Sequence, residues 1–236
     1  MNEIVPGVSG FSGLLVARVY LITDPDGLTL VDTGMGLAAP RILAQLRAAG
    51  HAPTDVKRIL ITHAHFDHIG GLPALKAASG AEVIALDVEQ PYLTGKAVLP
   101  RPRPQDLSPL NRLLLPAIPL GIPAQPIPAD RLLTDGEPIP DVMGGLVAIA
   151  TPGHTPGHVA FWQPERRILF CGDALMHLWG LTLPFAVATG SMANARQSVA
   201  RLAALQPAVI CFGHGQPLTQ EAAPALAAFA QRVAPH

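Results

Sequence analysis

The segment His63-Ala64-His65-Phe66-Asp67-His68 places four groups able to ligate a metal within six residues. The chain holds nine histidines among 236 residues, so a chance match to H-x-H-x-D-H at any one window is on the order of a few in a million. Imidazole and carboxylate donors together suit a divalent transition metal; zinc is the expected ion, and iron or manganese also fit such donors. In an extended segment alternate side chains share a face, which lets His63, His65 and Asp67 point the same way. His68 breaks that alternation, so a turn is expected there, permitted by Gly70 and Gly71. Such a segment can supply ligands to two adjacent metals. Structural zinc sites are usually closed by four protein ligands with cysteine prominent among them, and neither Cys171 nor Cys211 lies near the motif.

Further donors occur in glycine-containing loops that follow apolar runs. Leu146–Ala150 leads into Thr151-Pro152-Gly153-His154, Ile168–Phe170 into Cys171-Gly172-Asp173, and Val209–Phe212 into Gly213-His214-Gly215, as Arg58–Ile61 leads into the first motif. Four strands each ending in a loop with His or Asp would converge if their ends share one edge, where α/β proteins tend to place their sites. Around them, Leu14–Thr23 and Leu28–Val31 flank the turn sequence Asp24-Pro25-Asp26-Gly27 and predict a hairpin. Helical spacing covers Pro40 to Ala49 with Gly50 as a stop, the region near Leu72, Met192–Leu205 and Glu221–Val233. His158 opens a strand pattern, Val159–Trp162, and is expected to be structural.

The order H-x-H-x-D-H, TPGHTPGH, CGDAL, FGHG resembles the metallo-β-lactamase superfamily, from Val31-Asp32-Thr33-Gly34 to His214. The resemblance implies a single-domain, four-layer αββα sandwich of α+β class, with two facing mixed sheets and helices outside. It implies that His63, His65 and His154 hold one metal, that Asp67, His68 and His214 hold the other, and that Asp173 bridges them. Each ion then has four protein donors and room for a shared hydroxide. Two dications, two carboxylates and a hydroxide leave about +1 net charge, enough to generate hydroxide near neutral pH. In the expected mechanism this hydroxide attacks a carbonyl whose oxygen lies on one metal, while Asp67 accepts and passes on its proton. Asp32 is a candidate acceptor for a metal-bound histidine or, equally, a strand-end turn residue. His177, four residues after Asp173, is expected to be packed or solvated more than to touch substrate. His51 is expected to be solvated, and the terminal His236 carries no information.

Residues also weigh the branches of the family. Zinc β-lactamases that share H-x-H-x-D-H lack a bridging aspartate at the Asp173 position, which argues against β-lactams. Hydroxyacylglutathione hydrolases keep all seven ligands and add a C-terminal helical part with glutathione contacts, for which the stretch after His214 is short. Acyl-homoserine lactonases have a tyrosine three residues after the bridging aspartate, where this chain has Met176. Hydrolysis of an ester, lactone or thioester follows as the expectation. The alternatives are a mononuclear iron oxidoreductase on the same fold and, behind it, a phosphodiesterase or nuclease; non-enzymatic metal binding comes last.

Composition narrows the setting. Hydrophobic residues make up 49% and charged residues 14%, with a mean hydropathy of +0.34, as in a compact, well-buried domain. Net charge is −1 and no long basic run occurs, which argues against a nucleic-acid partner. Two cysteines in apolar runs are expected to be free, buried thiols in a reducing compartment. With no basic-then-apolar N-terminal segment and no unbroken apolar span, a soluble cytoplasmic protein without a membrane partner is expected. A homodimer formed through surface patches is a further expectation. Nine prolines between Pro100 and Pro128 exclude a regular helix or central strand there. This insertion, at about 100–128, is either an irregular connection or a cover over the substrate site. Its apolar residues Leu113, Leu114, Leu115, Ile118, Leu120 and Ile122 favour packing, and suit a small-molecule substrate with an apolar portion.

Overall fold

The computed structural model describes residues 1–102, 104, 107–114 and 125–234. Alternation of apolar residues along the strands decides its layering. In β6 (Glu82–Leu86), Val83 and Ala85 face one way and Ile84 and Leu86 the other, and both faces are buried. The first face packs against Ile42 and Leu46 of α1 (Ala38–Ala48) and Leu72 and Leu75 of α3 (Leu72–Ser79). In β10 (Val159–Gln163), Val159 and Phe161 meet the inner face of the opposite sheet, while Ala160 and Trp162 pack outward with Leu202 of α6 (Met192–Ala204) and Leu226 of α7 (Ala222–Val233). Period-2 patterns buried on both sides require a layer on each side, and the result is the αββα sandwich.

The seven-stranded sheet runs in chain order from β1 (Asn2–Val5) through β2 (Val8–Gly10), β3 (Tyr20–Asp24), β4 (Gly27–Val31), β5 (Val56–Leu60) and β6 to β7 (Arg131–Leu133). It is antiparallel up to β4 and parallel from β4 to β7. The five-stranded sheet has the order β14 (Val209–Phe212), β11 (Ile168–Gly172), β10, β9 (Leu146–Ala150), β8 (Pro138–Ile139). In it β11 and β14 are parallel, and the other pairs are antiparallel. A small hairpin joins β12 (Met176–His177) to β13 (Leu181–Thr182). Both sheets are therefore mixed.

The hairpin around Pro25-Asp26 forms as expected, with Asp24 paired to Gly27. Its first strand starts at Tyr20 and not at Leu14: Gly13 and Val16 both have positive φ, which interrupts a ladder and leaves the preceding residues as a loop. The N-terminal pair β1–β2 is short and partly exposed, so its weak alternation carried no signal. Cys171 and Cys211 are free and buried, on opposite faces of the same sheet.

The proline-rich stretch departs from expectation by holding a helix, α5 (Pro109–Leu114). Pro109 sits at its first position, where the missing N–H costs nothing, and the residues that follow are free of proline. Leu113 is exposed and does not pack. Leu115, Ile118, Leu120 and Ile122 lie outside the described residues, as does His236, and nothing is described of the Leu114 side chain. Among the described residues no helix is long and apolar enough to cross a membrane.

Phe161, fully buried between the sheets, tests the sandwich core. Phe161→Ala is expected to cost about 3–5 kcal/mol, seen in urea titration as a lower midpoint with an unchanged slope.

Candidate metal centre

Each candidate ligand lies just beyond the C-terminal end of a strand. His63, His65, Asp67 and His68 follow β5 in one sheet; His154, Asp173 and His214 follow β9, β11 and β14 in the other. The site thus forms where the strand ends of the two sheets meet. Ligating atoms of His63, His65 and His154 lie within 4.8 Å of one another, as do those of Asp67, His68 and His214, and those of His63, His68 and Asp173. Asp173 sits between the groups. Its Oδ1 is 3.5 Å from His68 Nε2, and its Oδ2 is 3.4 Å from His154 Nε2 and 3.1 Å from His214 Nε2.

The motif reaches this geometry differently from the extended segment expected. His63 and His65 precede a helical turn, α2 (Phe66–Ile69), in which His68 and Ile69 donate backbone hydrogen bonds to the His65 carbonyl. The chain therefore turns at Phe66, ahead of Asp67, and both Asp67 and His68 project from that turn. Gly70 has ordinary helical φ, so turning is not what requires it. A Cβ there would come within 2.6 Å of Gly36 N, and one on Gly71 within 2.4 Å of the Thr33 carbonyl oxygen. These glycines let the segment containing Thr33 and Gly36 pack directly on the motif, where the Thr33 hydroxyl donates to the His68 carbonyl at 2.6 Å.

Hydrogen bonds at the outer ring nitrogens fix the tautomers. Asp32 Oδ2 accepts from His68 Nδ1 at 2.7 Å, and the same carboxylate accepts from the Thr62 amide and hydroxyl at 2.8 Å each. The Thr62 hydroxyl, already donating to Asp32, must accept from His63 Nδ1 at 3.0 Å. Thr189 likewise donates to the Phe185 carbonyl and accepts from His154 Nδ1, and His214 Nδ1 donates to the Val16 carbonyl. In all four rings Nδ1 carries a proton, so Nε2 is the nitrogen directed inward. His65 presents Nδ1 instead, 2.9 Å from His154 Nε2. Asp32 thus has the orienting role, from a left-handed backbone position.

The residues fit a pair of divalent ions. His63 Nε2, His68 Nε2 and Asp173 Oδ1 are buried with no hydrogen-bond partner, and orphaned polar atoms of this kind are costly unless something ligates them. His158 is different: its Nε2 accepts from the Asp173 amide at 2.9 Å and its Nδ1 meets the Thr151 hydroxyl at 2.7 Å, so it steadies Asp173 and has no nitrogen to spare. His177 donates from Nδ1 to the Gln216 carbonyl, stacks near Phe212, and is not among the residues lining the site cavity. His51 is half-buried.

Two features gave no sequence signal. Glu89, between β6 and the short helix α4 (Gln90–Leu93), is buried and accepts from the Ala64 amide, the Thr155 hydroxyl and the Gly157 amide. The other is the cavity over the site, about 160 Å³, whose apolar wall comes from Val16, Phe66, Phe185 and Ala188. Asp67, His65, His154, Asp173 and His214 form its floor.

Burial and charge act oppositely on the titrating groups. Burial holds His63 and His154 well below the usual range, and His65 and His158 down at about 4 and about 3. Burial also works to lower His68 and His214, but the neighbouring carboxylates, Asp173 foremost, outweigh it and raise them to about 9 and about 10. Burial would raise Asp67, yet His214 and His68 bring it down to about 2. Burial lifts Glu89 to about 7 against the pull of its three donors.

Residues 12–214 match the model of the metallo-beta-lactamase superfamily. The chain belongs to that superfamily. It is 32% identical over 237 residues to the "Probable metallo-hydrolase YflN" of Bacillus subtilis (strain 168), covering 92% of this chain and 87% of the relative. A hydroxyacylglutathione hydrolase of Ectopseudomonas mendocina (strain ymp) is also 32% identical, over 92% of this chain but 66% of that enzyme, so the chain spans just under two thirds of its length. Among solved structures, a metallo-beta-lactamase family protein from Thermus thermophilus superposes with a TM-score of 0.71 at 25% identity, covering 98% of this chain and 80% of that one. The chain is accordingly a metallo-hydrolase of the metallo-β-lactamase superfamily with a histidine-rich metal site.

Two measurements probe this site. Protein stripped with chelator is expected to melt highest near pH 6.5–7. Below about 6.5 stability falls, because His65 and His158 resist protonation in the fold down to about 4 and about 3. Above it the stability from charged His68 and His214 is lost as pH rises through about 9 and about 10. Asp32→Ala frees His68 Nδ1 and the Thr62 hydroxyl, and is expected to weaken metal binding by about 10–100-fold in chelator competition.

Proposed function

We propose that this metallo-hydrolase holds two divalent ions, zinc by preference, and cleaves an ester, lactone or thioester with an apolar portion. The observation that carries this is the Asp173 carboxylate, which faces His154 with one oxygen and His68 with the other, while also meeting His214. A carboxylate so placed can serve two ions at once. On this reading His63, His65 and His154 hold one, Asp67, His68 and His214 hold the other, and Asp173 is shared. Bound there, the ions supply Lewis acidity for a carbonyl and lower the pKa of water towards about 7.

The protein's own groups supply the rest. Asp67 lines the cavity, and its Oδ2 lies 3.4 Å from His214 Nε2. Ionised at neutral pH, its carboxylate is free to accept, and so weak a base holds a proton only in passing, as the proton moves from the attacking water to a leaving group. Val16, Phe66 and Phe185 form an apolar wall that receives an apolar acyl or ring substituent. The helix α5 contacts the turn at residues 186–188, and Ala188 lines the cavity, which supports the proline-rich insertion as a cover at the substrate end.

Elemental analysis of protein purified without chelator, paired with simple ester, lactone and thioester probes, tests the proposal. About two zinc per chain with turnover of at least one probe is the expected result. His65→Ala and Asp173→Ala are expected to lower metal content and abolish hydrolysis while near-native circular dichroism is kept. One iron per chain without hydrolysis, or full activity in either variant, would overturn it.

A further inference from the structure

Glu89 belongs to neither histidine cluster, does not line the site cavity, and takes no part in the chemistry above, yet it is among the most deeply buried carboxylates in the described chain. Its Oε1 accepts at 2.8 Å from the amide of Ala64, the residue between His63 and His65. Its Oε2 accepts from the Gly157 amide at 2.8 Å and the Thr155 hydroxyl at 3.1 Å, in the loop that carries His154. All three partners are donors, so the site calls for an acceptor at both oxygens. Local packing is built around this approach: a Cβ on Gly157 would fall 2.4 Å from Glu89 N and 2.6 Å from Oε2.

One carboxylate therefore joins two loops that are remote in sequence, since His65 and His154 are 89 residues apart. These two loops supply all three histidines of one cluster. The other cluster draws Asp67 and His68 from the α2 turn and His214 from beyond β14, and Glu89 bonds to neither. Asp32 serves that side through His68 Nδ1. We propose that Glu89 is a positioning residue for the His63–His65–His154 cluster, setting the spacing of its two loops and so the affinity of one of the two metal positions and not the other. This rests on the two-metal reading above.

The experiment is stepwise metal binding by chelator-stripped protein, with Zn(II) followed by competition against a chromophoric chelator and Co(II) followed by its visible absorption. Glu89→Gln retains the shape but turns one acceptor into a donor facing a donor. Thr155→Val removes a single donor and leaves the backbone amides in place. For Glu89→Gln, one metal equivalent is expected to weaken by about 10–100-fold, with an altered Co(II) spectrum for that equivalent, and the other to stay within about twofold of wild type. Thr155→Val is expected to weaken the same equivalent several-fold, and this decides the matter if Glu89→Gln does not fold.

Unchanged binding of both equivalents in a folded variant would overturn the assignment. Equal weakening of both would also overturn it, because a general loosening of the fold acts on the whole site. The two-metal reading fails separately: wild-type protein that takes up fewer than two equivalents sinks that reading, whereas two equivalents insensitive to Glu89 and Thr155 sink only the positioning role.

Discussion

Five imidazoles and two carboxylates are gathered at the meeting point of two sheets, with most of them shut away from water. Burying polar atoms without partners costs free energy, and three of these atoms have none within the protein. The surroundings bear that cost by spreading the site over many rigid attachments. Four ring protons are tied down by a carboxylate, two hydroxyls and a carbonyl, and each attachment leads back to a strand end or its adjoining loop. The sandwich core supplies the stiffness that keeps these attachments in register.

Close backbone approach is the second requirement. The loop after β4 rests on the metal-binding motif because Gly70 and Gly71 have no side chain to obstruct it. Gly213 lets the Asp173 carboxylate lie against the backbone, since a Cβ there would sit 2.0 Å from Oδ1. Gly157 does the same for Glu89. A substitution that looks conservative at these positions would displace a donor by an appreciable part of a bond length.

Much of this was legible in the residues. The continuous apolar runs Leu146–Ala150, Val159–Trp162 and Ile168–Phe170 mark strands covered on both faces, and the dense H-x-H-x-D-H spacing marks the site. The seven ligand candidates lie together because each follows a strand, a local feature that sequence displays. Glu89 was not legible, because its meaning depends on a loop almost seventy positions away, 68 residues to Gly157, and locally it resembles any solvated acid after a strand. The conformation of Asp67 was misjudged for a related reason: periodicity in a six-residue motif cannot separate an extended run from one that enters a helical turn after two ligands. Val16, Phe66 and Phe185 form a wall only once three distant segments have met.

The division of ligands between the sheets has a bearing on how the chain reaches its final form. No contiguous half can assemble the cluster, since His63, His65, Asp67 and His68 come from one sheet and His154, Asp173 and His214 from the other. Closing loops of that length carries an entropic cost that must be met before any ligand finds its counterpart. Once the two sheets have docked, an ion held by ligands from both would act as a latch across the seam. The same latch would have to open before the halves could part, and the residence time of the metal would then become a term in the lifetime of the folded protein.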